Sequence, residues 1–160
     1  MSVNVDVQEI AGCTCLRLRR ASRKLTQLYD RLLGSAGLTV NQFGLLAHLY
    51  GAELGHSLGS SMGSIADRLG LDPTTLNRNL KPLHLQGLVR DAIDPADRRI
   101  RIVRITDKGR RTLEKAVPLW GQAQAQVKRA LGDEAIGALN ALLDQSTLRL
   151  DDPDRATNLS

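Results

Sequence analysis

The chain has 160 residues, of which 42% are apolar and only 2% aromatic, and its formal net charge is +5. This length fits one domain whose core must consist mainly of leucine, alanine, isoleucine and valine, which favours helices. No apolar run is long enough to span a bilayer, and the first residues lack the basic and apolar regions of a signal peptide, so we expect a cytoplasmic protein. The positive charge favours a polyanionic partner, although charge alone does not separate binding from simple solubility.

The first element is predicted to be one long helix over residues 9–36. Leucine and alanine recur at spacings of three and four, arginine and lysine occupy the opposite face, and Gly37 follows as the terminating residue. Thr39 and Gln42 match a capping box, in which each satisfies a free backbone donor of the other, so a second helix is predicted over about 40–50. The next residues, 51–63, are rich in glycine and serine and are predicted to form a loop.

Residues 64–81 carry the most informative pattern in the chain. A short helix ends at Gly70, which can adopt a positive φ, and a second helix begins with Asp72 as its N-cap and Pro73 as its first residue. The second helix buries leucines on one side. Its other side is polar and basic, as in a recognition helix that enters a DNA major groove, with Thr74, Thr75, Asn77, Arg78 and Lys81.

A β-hairpin is predicted directly after this helix. Residues 88–93 and 100–105 are rich in branched side chains and are separated by the charged turn 94–99. A hairpin at this place is a wing, with Arg98 and Arg99 at its tip and with Asp94 and Asp97 beside them.

Two further helices are predicted, over 107–131 and 133–150, followed by a polar tail over 151–160 that we expect to be frayed. The apolar faces of the first and last helices have no obvious partner inside so small a winged domain. A two-fold dimer would cover them and would present two recognition helices to two half-sites.

In this order, the motifs resemble the MarR family of bacterial transcriptional regulators. The resemblance covers about residues 10–150 and rests on 38–46, 65–76, 80–89 and the charged turn that leads to Thr106 and Gly109. It implies one mainly α domain over 1–160, with a small β-hairpin wing. In that domain a winged helix-turn-helix core over about 38–106 is flanked by dimerisation helices over about 9–36 and 107–150. It also implies a homodimer that binds a palindromic operator in double-stranded DNA, usually as a repressor, and is released by a small ligand or an oxidant.

The individual DNA contacts follow from side-chain chemistry. Arg78 suits a bidentate contact to guanine and Asn77 a contact to adenine, whereas Thr74, Thr75 and Lys81 suit phosphates or methyl groups. In the wing, an arginine is expected to enter a narrow minor groove while a carboxylate holds the hairpin. The family pattern Asp-x-Arg favours Arg99 for this role, with Arg98 as the second choice. The alternative is a solvated charge cluster of little energetic value.

Cys13 and Cys15 support two interpretations. A thiol sensor is one, because Cys15 lies near the start of the first helix beside several arginines, and this environment favours a reactive thiolate. The resemblance places Cys15 at the sensing cysteine of the organic-peroxide branch and Tyr29 at one of its two tyrosine partners, but Val40 stands where the other is expected. The second interpretation is a pair of small thiols buried in a helix interface.

The sequence gives no reason to expect an enzyme, a cofactor or a metal. No catalytic triad, phosphate loop or paired carboxylates stand out, and the three histidines, His48, His56 and His84, do not cluster with the cysteines. The sequence is therefore compatible with three functions: a ligand-responsive repressor, a thiol-based redox regulator on the same scaffold, and a protein-interaction module that does not bind DNA.

Overall fold

The computed structural model of the chain describes residues 10–55, 57 and 59–150. The predicted helix start at residue 9 and the predicted frayed tail over 151–160 lie outside these residues. The prediction of one continuous helix over 9–36 is wrong, because the helix is interrupted at Gly12 and Cys13 and ends at Leu33 in a 3-10 turn. Contacts divide the chain into two compact units, with the boundary between Trp120 and Gly121.

The described residues are mainly helical with one small sheet, as the sequence predicts. The helices are α1 (Thr14–Leu33), α2 (Val40–Leu54), α3 (Met62–Leu69), α4 (Pro73–Leu85), α5 (Asp107–Leu131) and α6 (Asp133–Leu150), and a 3-10 turn, Gly34–Ala36, follows α1. The strands are β1 (Ser60–Ser61), β2 (Val89–Ile93) and β3 (Arg101–Ile105). The predicted approximate ranges of α5 and α6 are confirmed.

The corner between α1 and α2 is built as predicted. Gly37 has a left-handed φ of 73°. The capping box is complete, because the N–H of Gln42 donates to the hydroxyl of Thr39 and the N–H of Thr39 donates to the side-chain oxygen of Gln42. A carboxylate oxygen of Asp30 also accepts from the N–H of Val40 at 2.7 Å. The corner therefore fixes the direction in which α2 leaves α1.

Helix α2 is longer than predicted, because it continues to Leu54 instead of ending near residue 50. A glycine inside a helix lowers stability by about 1 kcal/mol relative to alanine, so Gly51 indicated the end of a helix. The added turn is held by an ion pair between the Glu53 carboxylate and the Arg110 guanidinium, whose side chains are only 19% and 34% exposed. A contact 57 residues away in sequence thus overrides the local preference.

The prediction of a continuous loop over 51–63 is wrong at both of its ends. Besides the extension of α2, Ser60 and Ser61 form β1, which pairs antiparallel with β3 opposite Val103 and Ile102, so the sheet order is β1-β3-β2. Two serines carry no branched or aromatic signature of a strand. Their pairing depends on the edge that β3 offers.

The core of the first unit fixes the orientation of α4. Leu76, Leu80 and Leu83 are at most 3% exposed. They pack with leucines of α1 and α2 and with branched side chains of the sheet. Burying a leucine stabilises a fold by about 1.5–3 kcal/mol, so rotation of α4 about its axis would be costly. The opposite side of α4 is consequently held toward solvent.

The second unit contains the last part of α5 and all of α6. Gly132 has a φ of 81° between them, and Lys128 pairs with Asp133 at 3.0 Å. No side chain of α6 is buried. Its exposed leucines are Leu139, Leu142, Leu143, Leu148 and Leu150.

Candidate nucleic-acid interface

The start of α4 is a sharp, fully capped turn. Gly70 has a φ of 60° and ends α3, and Asp72 is the N-cap of α4, with Pro73 in its first turn. One carboxylate oxygen of Asp72 accepts the Thr75 N–H at 2.9 Å, and the other accepts the Thr75 hydroxyl at 2.6 Å. These hydrogen bonds from Thr75 lower the pKa of Asp72 from its usual value, so the cap stays ionised at neutral pH.

The exposed face of α4 carries most of the residues that the sequence nominates for DNA. Thr74, Asn77, Arg78 and Lys81 are exposed. Their spacing of three and four residues puts them on one face of a helix. Within the described part of the chain, Arg78 and Lys81 form no ion pair. Thr75 differs from the other four, because it is half-buried and its hydroxyl is committed to the cap.

The end of α4 is fastened to the start of α5. The Thr106 hydroxyl donates to the carbonyls of Gly87 and Leu88, at 2.8 and 3.1 Å, and accepts the Gly109 N–H at 3.0 Å. A Cβ on Gly109 would overlap the carbonyl oxygen of Leu88, so only glycine permits this approach. Lys108 adds a hydrogen bond to the carbonyl of Gln86 at 2.8 Å. These contacts give the Thr-x-x-Gly motif a role in positioning the recognition helix.

The sequence predicted Thr106 and Gly109 at the start of a helix, but it did not predict the contacts that Lys108 and Ser61 make. Lys108 was not singled out, because a lone lysine in a first turn gives no signal for a contact 22 residues away. Ser61 caps α3 by accepting the Ser64 N–H at 3.2 Å. A serine three residues before Ser64 is typical of an N-cap and could have predicted this contact. The interpretation of 51–63 as a loop hid the pattern.

The wing turn is closed by its two aspartates. Asp94 accepts the Ala96 N–H at 2.8 Å, and its own N–H donates to the carbonyl of Ile100 at 3.0 Å. Asp97 accepts the backbone N–H of Arg99 at 3.0 Å. Each carboxylate thus accepts a backbone N–H within the turn.

Asp97 also holds the side chain of Arg99. Nε and a terminal nitrogen of the guanidinium each donate to one carboxylate oxygen at 3.1 Å. This pairing lowers the pKa of Asp97 and raises the pKa of Arg99. The Arg99 side chain nevertheless stays 90% exposed. Arg98 is exposed too and pairs with no acid of the described residues. The wing tip thus presents one guanidinium in a fixed orientation and one without an ionic partner.

The candidate redox residues are not brought together within one chain. Cys13 is the N-cap residue of α1 and Cys15 lies in its first turn, and both thiols are exposed, contrary to the expectation of buried thiols unless a second copy covers them. Tyr29 lies further along α1, packs against the core, and has a pKa raised by burial. At 1.5 Å per residue the helix places Cys15 and Tyr29 about 21 Å apart. A direct contact between them requires two chains.

Among the described residues, no group of three or more His, Cys, Asp or Glu side chains is placed to hold a metal ion. No helix in this part of the chain is long and apolar enough to cross a membrane.

The fold and the exposed face of α4 define a winged helix-turn-helix protein, and comparisons with known proteins agree. A family model described as MarR family matches residues 36–100. The crystal structure of the Mycobacterium tuberculosis transcriptional regulator MosR in complex with DNA is 40% identical, with a TM-score of 0.71, and the alignment covers 86% of this chain and 98% of that one. The chain therefore belongs to the MarR family of DNA-binding transcriptional regulators, which are not enzymes.

Two relatives found by sequence carry regulator names. The transcriptional regulator TtmR of Methylorubrum extorquens is 35% identical over 66% of this chain, which spans about half, 51%, of that protein. The organic hydroperoxide resistance transcriptional regulator of Bacillus subtilis is 28% identical over 76% of this chain and 79% of its own length.

Proposed function

We propose that this protein is a repressor that binds a palindromic operator and is released by a small ligand. The observation that carries the proposal is the exposed row Thr74, Asn77, Arg78 and Lys81 on a helix whose other side is buried and whose two ends are fastened. In this arrangement Asn77 and Arg78 read base edges, while Thr74 and Lys81 contact the backbone. Such a regulator acts where the chromosome lies, in the cytoplasm.

A homodimer is part of the proposal, because helices α1 and α6 leave apolar side chains in water. In α1, Leu16, Leu18 and Leu25 are exposed and only Leu33 is buried. In α6 no side chain is buried. Exposed apolar surface of this extent is typical of an interface. A two-fold axis between two copies would also match the symmetry of a palindrome.

The relatives support binding to DNA in particular. MosR, which this chain resembles over 86% of its length, has been solved in complex with DNA. The net charge of +5 is consistent with a polyanionic partner.

Selection of bound sequences from random duplexes tests the operator directly. We expect a two-fold symmetric site whose half-sites are separated by about one helical turn, 10–10.5 base pairs, because each copy presents one α4. Affinity for the selected site should fall steeply with salt concentration as phosphate counterions are released. Absence of any enriched sequence, with no salt-dependent binding, would instead support a protein-interaction module.

The ligand is tested by repeating the binding measurement with candidate aromatic acids and their thioesters. A compound that weakens operator binding at constant ionic strength, and that binds the free protein, supports a ligand-released repressor. Retention of full affinity with every compound tested contradicts the ligand part of the proposal and leaves DNA binding intact.

A second candidate function, thiol-based sensing, is favoured by the exposure of Cys13 and Cys15. The proposed reaction begins when the Cys15 thiolate attacks the O–O bond of an organic hydroperoxide. The sulfur is oxidised to a sulfenic acid, and the hydroperoxide is reduced to an alcohol. The Cys13 thiol then displaces water to form a disulfide. The relative named as an organic hydroperoxide resistance regulator supports this candidate.

The two functions are separated by peroxide treatment of the operator complex. If Cys15 is the sensor, Cys15→Ser abolishes the response. Cys13→Ser, the matched variant two residues away, keeps a response that thiols reverse but loses the disulfide. An unchanged response in Cys15→Ser would rule out sensing through Cys15.

A further inference from the structure

Helix α5 runs without interruption through the boundary between the two compact units. The boundary lies between Trp120 and Gly121, and every residue from 107 to 131 is helical. The part of the helix before the boundary packs on the first unit. Ala116 is fully buried, and the ring of Trp120 stacks on Phe43 with the two centroids 6.1 Å apart. The helix is therefore held by tertiary contacts up to the last residue of the first unit.

A proline lies in the helix just before this boundary. Pro118 is in the interior of α5. It has no N–H to donate to the carbonyl of Glu114, four residues earlier, and its ring crowds that carbonyl. Its side chain is exposed, so burial of the ring does not explain its presence. Sharp kinks in helices are found mainly at prolines and at a few other local irregularities.

A glycine follows directly after the boundary, and nothing among the described residues requires it. A Cβ added to Gly121 would meet no atom within 4 Å, whereas a Cβ added to Gly109 would overlap the carbonyl oxygen of Leu88. The backbone of Gly121 is not left-handed, unlike that of Gly132. Glycine and proline are the two least favourable residues inside a helix. Two such residues within four positions weaken α5 at the boundary.

We propose that residues 118–121 form a hinge in α5, at which the first unit changes its direction relative to the second. The missing hydrogen bond at Pro118 and the backbone freedom of Gly121 lower the free-energy cost of bending the helix there. In a dimer, the hinge sets how far two recognition helices can adjust to the separation of two half-sites. This consequence for operator choice rests on the proposed function, whereas the hinge itself does not.

Distance distributions between two spin labels test the hinge in the full-length protein without DNA. The labels are placed at Asp67 of α3 and Gln145 of α6, which are exposed and lie in different units, after both native cysteines have been replaced by serine. Labelled chains are mixed with an excess of unlabelled chains, so that only distances within one chain are recorded. Pro118→Ala combined with Gly121→Ala should narrow the distribution. An equally broad distribution in this double variant would overturn the hinge.

Gly51→Ala is the matched control. Gly51 is also an interior helical glycine with no atom within 4 Å of an added Cβ, but it lies in α2, away from the boundary. The control gains the same helix propensity as Gly121→Ala and should keep the distribution of the wild type. If Gly51→Ala narrows the distribution equally, the assignment to residues 118–121 is wrong.

Light scattering tests the alternative that Gly121 lets a second copy approach α5 closely. A hinge glycine can be replaced without loss of contacts between copies, so Gly121→Ala should have the mass of the wild type at every concentration. A lower mass for Gly121→Ala would assign the glycine to a contact between copies and remove it from the hinge.

The consequence for operator choice is measured on the selected operator and on versions with one base pair inserted or removed between the half-sites. Each change alters both the separation and the relative rotation of the half-sites. The ratio of affinities, selected over altered operator, should rise about tenfold in the double variant, the change that about 1.4 kcal/mol produces. It should not change in Gly51→Ala. An unchanged ratio in the double variant contradicts the role in operator choice. If no operator is found, the proposed function fails, and the spin-label distances still decide whether the hinge exists.

Discussion

At the scale of single residues, the candidate interface contains two groups of side chains. One group holds the local structure in place, and the other is exposed to solvent. Asp72 and Thr75 bind each other at the start of α4, and Asp97 holds Arg99 in the wing. Asn77, Arg78 and Lys81 are exposed on the face opposite the core. Substitutions in the first group should act on geometry, and those in the second should act on DNA directly.

Arg78→Ala should weaken operator binding by about 1–3 kcal/mol and relax preference at one base pair per half-site, because a bidentate contact to a base is lost. Binding is measured on the selected operator and on single-base variants of it. Arg78→Lys is the matched control, because it keeps the charge and loses the planar fork. An unchanged sequence preference in folded Arg78→Ala would show that Arg78 does not read bases.

Arg99→Ala should lower affinity for operator and scrambled duplex together and reduce the salt slope by about one unit. The reason is that the minor groove gives an arginine negative potential but only a degenerate pattern of base edges. Preference should change only at A·T-rich flanks. The measurement is binding to both duplexes across a salt series.

Asp97→Ala is the comparison for Arg99→Ala, because it removes the carboxylate that holds Arg99 and keeps the Arg99 guanidinium. We expect a milder form of the Arg99→Ala defect, because the freed side chain still carries its charge. If both variants keep the wild-type affinities and salt slope, the wing does not touch DNA.

At the scale of elements, the junction between α4 and α5 decides how the recognition helix is held. One hydroxyl, that of Thr106, contacts the carbonyls of Gly87 and Leu88 and the first turn of α5. The close approach of Gly109 to Leu88 leaves no room for a side chain. The junction therefore ties the segment that follows α4 to the first turn of α5.

Thr106→Val should destabilise the protein by about 1–2 kcal/mol, because the cap of α5 is lost and the Gly109 N–H loses its acceptor. Chemical denaturation measures the loss. Thr112→Val is the control, because the Thr112 hydroxyl bonds only to the carbonyl of Lys108 within its own helix. Equal stabilities of the two variants would mean that the Thr106 contacts contribute nothing to the junction.

At the scale of the whole molecule, the unpaired apolar surface points to assembly. Leu16 and Leu18 of α1 are 50% and 42% exposed, and Leu142 of α6 is 62% exposed. The exposed thiols of Cys13 and Cys15 lie at the start of α1, close in sequence to Leu16 and Leu18. A second copy that covers α1 would change the environment of these thiols as well.

Leu143→Glu should weaken or abolish the dimer and, with it, binding to a two-half-site operator. Leu143 lies with Leu139 on one stripe of α6, where a buried carboxylate would be costly. Light scattering across a concentration series measures the mass. Gln145→Glu adds the same charge on the opposite side of the helical wheel and should leave the dimer intact. A wild-type monomer at micromolar concentration would refute the dimer itself.

The sequence predicted the elements well wherever the signals were local. Thr39 with Gln42, Gly70 with Asp72, and the start of α5 at Asp107 were all placed correctly, because caps and turns depend on a few neighbouring residues. It failed between residues 51 and 63. Helix α2 continues past Gly51 through a distant ion pair, and β1 exists only because β3 lies beside it.

The sequence by itself determined the order of elements, the buried and exposed faces of α4, and which polar side chains lie on the exposed face, because periodicity and capping are encoded over a few turns of chain. The tertiary structure decided which polar groups meet. It fastened Thr106 to Gly87, 19 residues earlier in the chain, and it placed His48 within reach of the charge of Arg68. Such contacts depend on how helices pack against each other, and no local pattern records the packing.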